Sequence, residues 1–152
     1  MKNILILVGV IAILFGGSIW WSKKIQESDP QVISRTGIHW HPILEIYVKG
    51  ETQLISPNIG IGIGYASKPT YDPRMKMTAV HTHDDANDGI IHLEFEGIVK
   101  KEDTKLSNFF DIWNKDINSF GQDVTMSVNG VPNIELGDYA MKDGDKIELR
   151  YE

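Results

Sequence analysis

The hydrophobic rhythm of this chain changes character near residue 37. Before it, residues 4–21 read ILILVGVIAILFGGSIWW, eighteen positions without a charge. At about 1.5 Å per residue, a helix of that length reaches the lower limit for crossing a hydrocarbon core of about 30 Å. Trp20 and Trp21 stand where an interfacial aromatic belt belongs, and Lys23 and Lys24 follow. The pattern predicts a transmembrane signal anchor over residues 1–21, membrane-bound through 4–21. The alternative is a cleaved signal peptide, with Lys2 as its basic start and Gly16 and Ser18 as the small residues of a cleavage site. The rest of the chain would then be secreted. Residues 22–36 are polar, contain Pro30 and hold no period, so they are expected to be a linker. Lysines flank the apolar run on both sides, so the charge rule hardly orients it. The short segment ahead of the run and the whole domain behind it are the layout of a signal anchor with its domain outside the cytoplasm.

From residue 37 to 152 the rhythm suits a folded domain. Trp40, Leu44, Ile46 and Val48 alternate with His39, His41, Glu45 and Tyr47, which predicts one strand with an apolar face and a polar face. Gly50-Glu51 predicts a turn into a strand over 52–55. Residues 56–77, with Pro57, Pro69, Pro73, Gly60, Gly62 and Gly64, predict a long irregular loop. Short strands are expected over 78–83 and 89–96, the second alternating Ile91, Leu93 and Phe95 with His92 and Glu94. Leu106, Phe109, Phe110, Trp113 and Ile117 recur at helical spacing and predict a helix lying across a sheet, with Asp103 or Thr104 as its cap. Asn129-Gly130 marks a type I′ hairpin after a strand over 124–128. Asp143-Gly144 turns into a last strand over 146–151. The expected class is α+β: a transmembrane helix, then a mostly antiparallel sheet with one packed helix. The order resembles β-grasp folds.

Charge narrows the partners. The chain carries 15 basic and 21 acidic residues, a net charge of −6. Residues 1–36 hold Lys2, Lys23, Lys24 and Arg35 against Glu27 and Asp29, a net of +2, so residues 37–152 carry −8. An acidic domain without a basic stripe argues against nucleic acid and suits cations. The chain has no cysteine, which excludes disulfides, thiolate ligands and thiol catalysis.

The candidate chemistry lies in the histidines. All five fall between residues 39 and 92: His39 and His41, His81 and His83, and His92. Side chains two apart on a strand leave by the same face, so each His-x-His pair can close on one ion. An all-imidazole set suits a transition metal, copper or zinc first. His39, His41 and His92 sit opposite the apolar positions of their strands, which sets them apart from core histidines. Glu45, Asp84 and Glu94 are candidate supports, as ligands or as acceptors orienting an imidazole. Met75 and Met77 suit Cu(I), though two loop methionines more often pack.

Neighbouring patterns fail on their details. The His39-x-His41-x3-Glu45 core of a cupin motif has neither the glycine spacing nor a second motif. Residues 84–95 miss a calcium loop at Ala86 and Phe95. No serine sits in a nucleophile elbow.

His39-Trp40-His41-Pro42, Pro57-Asn58-Ile59-Gly60, His81-Thr82-His83-Asp84, Gly89-Ile90-Ile91-His92 and Phe109-Phe110-Asp111-Ile112-Trp113 together resemble a group of small prokaryotic proteins. Those proteins are secreted or carry one N-terminal membrane helix. The resemblance covers most of residues 37–131 and implies that the histidine blocks and the helix form one module. It supplies no activity, and the stretch Asp84–Asp88 is longer here than that group's spacing. The expected function is therefore a membrane-anchored, extracytoplasmic metal-binding domain. The alternatives are a metal-dependent enzyme with an open histidine site, or a non-catalytic interaction module of a surface complex.

Overall fold

The computed structural model describes residues 2–26 and 29–152. The chain divides into two units, Met1–Val32 and Ile33–Glu152. In the first, helix α1 (Lys2–Gln26) exposes apolar side chains, Ile6, Leu14, Phe15 and Trp20 among them. Its stretch Lys2–Lys24 is long and apolar enough to cross a membrane, a test that a signal sequence also passes. The helix runs on through Lys23, Lys24 and Gln26, good helix formers, into the stretch expected as linker. Residues 27–28 of that stretch lie outside the described residues.

Beyond it the elements run β1 (Val32–Ser34), β2 (Ile38–Trp40), β3 (Ile43–Val48), β4 (Glu51–Gln53), β5 (Tyr71–Asp72), β6 (Met77–Thr78), β7 (Val80–His81), β8 (His92–Phe95), β9 (Val99–Lys100), α2 (Leu106–Ile112), β10 (Val124–Val128), β11 (Val131–Asn133) and β12 (Lys146–Tyr151). The main sheet has the order β11-β10-β12-β3-β4. Strands β3 and β12 are parallel at its centre, Leu44 opposite Ile147 and Ile46 opposite Leu149, while each flanking hairpin pairs antiparallel. First and last strands side by side, with a hairpin outside each, is the β-grasp order.

Alternation decides which face is buried. Leu44 and Ile46 of β3, Ile147, Leu149 and Tyr151 of β12, and Met126 and Val128 of β10 point into one core. Helix α2 places Leu106, Phe109, Phe110 and Ile112 in the same core. Each such side chain contributes about 1.5–3 kcal/mol by leaving water.

The helix differs from its expected ends. Lys105, not Asp103 or Thr104, holds the N-cap position, and no side chain caps it among the described residues. The Asp103 carboxylate instead accepts the Lys100 N–H at 2.7 Å, which closes the preceding turn. The C-terminus closes at Asn114, whose φ of 57° is left-handed. There Lys115 N–H reaches Phe110 C=O (2.9 Å) and Asn114 N–H reaches Asp111 C=O (3.2 Å), a Schellman ending. Ile117 packs against the core from beyond the helix.

The strand expected across residues 39–48 is also two strands. Pro42 has no N–H to give a ladder, and the chain changes sheets there. Strand β2 joins a second sheet of order β2-β8-β7, and β3 joins the main sheet. The junction is tied on both sides: Ile91 N–H donates to Pro42 C=O (2.9 Å), and Leu44 N–H to Gly89 C=O (2.8 Å). Gly89 has φ 79°, and a Cβ there would lie 2.5 Å from the Leu44 carbonyl, so only glycine fits. The expected strand over 78–83 likewise divides. Strand β6 pairs with β5 inside the long loop, while β7 enters the second sheet.

Candidate metal centre

The second sheet carries the histidines, and its register explains how. Strand β8 is central: His92 pairs across to His81 of β7, and Glu94 pairs across to His39 of β2. Residues paired across a ladder share a face, as do residues two apart. His81, His92, Glu94 and His39 therefore line one face. Val80, Leu93 and Trp40 take the other, which packs into the core. His41 and His83 extend each pair by two residues, just past the strand ends.

All five rings meet. Ring centroids lie 4.8 Å apart for His39–His41 and His41–His92, 4.7 Å for His81–His83 and His83–His92, and 5.4 Å for the stacked His81–His92. Two triads result, His39/His41/His92 and His81/His83/His92, and in each the ligand nitrogens lie within 4.8 Å of one another. His81 Nε2 and His83 Nε2 are 3.1 Å apart. Two imidazoles on a tetrahedral ion at about 2.0–2.1 Å stand about 3.3 Å apart, so this pair is close to ligating geometry.

The surroundings set which nitrogen of each ring is free. His81 Nδ1–H donates to the Thr78 carbonyl at 2.9 Å, leaving its Nε2 as a lone pair. His92 Nε2–H donates to the Asp85 carboxylate at 3.1 and 3.3 Å. That leaves His92 Nδ1 as a lone pair, buried and without a hydrogen-bond partner among the described residues. His39 Nε2 faces Glu94 Oε1 at 3.1 Å. Carboxylates on the far nitrogens of His92 and His39 are the arrangement by which proteins orient metal-binding imidazoles. Burial is graded across the group: the His39 side chain is 63 % exposed, His92 12 %, and His81 fully buried. Burial is also the main cause that lowers the His81 pKa to about 4, against the Thr78 hydrogen bond, so its ring is neutral at ordinary pH.

Thr82 fixes the inner pair. It is fully buried and turns to the side opposite His81 and His83, where residues 56–60 grip it. Its hydroxyl donates to Ser56 C=O (2.9 Å) and accepts Ile59 N–H (3.0 Å), and its own N–H donates to Ile59 C=O (3.0 Å). Gly60, in the stretch expected as an irregular loop, sits against this strand at φ 81°. A Cβ there would strike Thr78 Oγ1 and approach Val80 C=O to 2.8 Å and His81 Cβ to 3.1 Å. The outer pair is held from elsewhere: His41 N–H donates to Asp143 Oδ1 at 2.8 Å.

The expected supports separate. Glu94 stands in the site beside His39. Glu45 is exposed on β3 of the other sheet, accepting a hydrogen bond from Tyr47 Oη at 3.1 Å. Asp84 is exposed at the start of a 3-10 turn (Asp84–Asp88), and that turn carries Asp85 to His92 instead. Met75 and Met77 line a cavity of about 400 Å3 together with Glu94 and Phe95. Asp143 gave no chemical signal in the sequence, because its role depends on a contact 102 residues away.

Comparison with protein-family models, with curated proteins and with solved structures finds no match to this chain.

Proposed function

We propose that this chain is a membrane-tethered, extracytoplasmic domain that binds one transition-metal ion, copper or zinc, through its histidines. The observation that carries the reading is the buried lone pair of His92 Nδ1 where two imidazole pairs meet. A buried polar atom without a partner costs about 1–3 kcal/mol, and a bound cation removes that cost. Neutral His81 and the nearby Asp85 and Glu94 suit a divalent ion, and the acidic domain draws cations towards itself. An imidazole set without thiols also tolerates an oxidising exterior. The resemblance of the histidine blocks and the FFDIW segment to small prokaryotic exported proteins supports treating them as one module.

The test is direct. The chain is purified without chelators, reconstituted separately with Zn(II) and Cu(II), desalted, and analysed for bound metal. About one equivalent is expected for the wild type, and loss of it for His81→Gln/His83→Gln. Absence of stoichiometric metal from the wild type refutes the reading. A reporter fused after Glu152 tests the sidedness, and activity confined to the cytoplasm refutes that part.

A further inference from the structure

The two triads share His92, and this sharing has a chemical consequence that rests on the metal-binding reading above. His92 has a single free nitrogen, because Asp85 takes the Nε2–H. One lone pair serves one ion. The triads His39/His41/His92 and His81/His83/His92 are therefore alternative seats for a single ion. The seats differ in access at one ligand each: His39 is largely exposed at the outer seat and His81 is fully buried at the inner one, while His41 and His83 are both half-buried.

We propose that the five histidines form a two-seat relay, in which an ion is captured by His39 and His41 and passed inward to His81 and His83 while His92 stays bound. The transfer exchanges two metal–imidazole bonds for two others. It needs no redox change: His81 Nε2 is already a lone pair, and His83 frees its Nε2, 3.1 Å away, by holding its one proton on Nδ1 instead. Capture at the outer seat replaces ion hydration stepwise, so the ion reaches the buried His81 already holding protein ligands. Glu94 lies beside His39 and Asp85 beside His92, which places a carboxylate at the mouth and another at the pivot.

The experiment uses the full chain in detergent micelles and Co(II), whose visible absorption reports coordination. Wild type, His39→Ala/His41→Ala and His81→Gln/His83→Gln are titrated, followed by stopped flow, and challenged with EDTA. Thermal unfolding of each, before and after Co(II), accompanies the series, and His83→Gln alone backs up the doubly substituted inner seat. The wild type is expected to bind one equivalent. Removing the outer pair should slow both loading and release by about tenfold or more, with the final spectrum and affinity nearly kept. Removing the inner pair should weaken binding by about a hundredfold and leave a different, faster-exchanging spectrum. Two equivalents bound at once, or an outer-pair variant that loads at the wild-type rate, overturns the relay and leaves the metal site standing. No Co(II) bound to folded wild type removes both.

Discussion

His81 provides a sharp prediction, because its environment acts on one protonation state. The ring is fully buried and its pKa is lowered to about 4, whereas an unfolded chain titrates near about 6.5. Below about 6.5 the unfolded chain takes up a proton that the folded domain refuses, so stability falls with pH until about 4, where the folded form also protonates. A shift of about 2.5 pKa units corresponds to about 3 kcal/mol, nearly all of it lost by pH 4. The measurement is urea unfolding of the metal-free protein, in EDTA, at a series of pH values from 7 to 4, for wild type and His81→Gln. Other groups titrate in both proteins, so the difference between the curves isolates this ring. The wild type should lose about 3 kcal/mol more than the variant across that window. Parallel curves would refute the claim that burial keeps His81 neutral.

Other predictions test the frame around the ring. Asp85→Asn keeps the shape and removes the charge that orients His92, so metal affinity should fall about 10–100-fold in competition titrations, while Asp84→Asn changes it little. Gly60→Ala forces a Cβ against the strand carrying His81 and should cost about 1–3 kcal/mol in urea unfolding, with weaker metal binding alongside. Phe109→Ala empties a fully buried position of α2 and should cost about 3–5 kcal/mol without a change in metal stoichiometry per folded molecule.

The elements with strong local periodicity were readable from the residues alone. Asn129 and Gly130 both take left-handed φ values, 54° and 78°, as a type I′ turn requires. The apolar stripe of Leu106, Phe109 and Phe110 found its core. The five histidines could be named from their spacing, since strand geometry puts residues two apart on one side. The pairing of His81 with His92 was not readable, because register between strands is a tertiary property. Nor was the choice of Asp85 over Asp84, since one residue's rotation in a 3-10 turn decides which carboxylate faces the ring. The division at Pro42 had a local signal, the missing N–H, but period-two alternation runs through it undisturbed. The helix cap failed for the opposite reason. Asp103 is a good capping residue that an adjacent turn had already engaged.

The contact between His41 and Asp143 sets an order of events during synthesis. The first histidine pair emerges early from the ribosome, but the carboxylate that holds His41 follows about a hundred residues later, at the turn into β12. Strand β12 is also the central strand that joins β3 to β10. Until it inserts, the main sheet is split and the outer pair has lost its mooring. A nascent chain can therefore hold every residue of the histidine sheet before the contact that fixes His41 exists. The outer pair is therefore the last part of the histidine group to be fixed, and its order reports that the closing strand is in place.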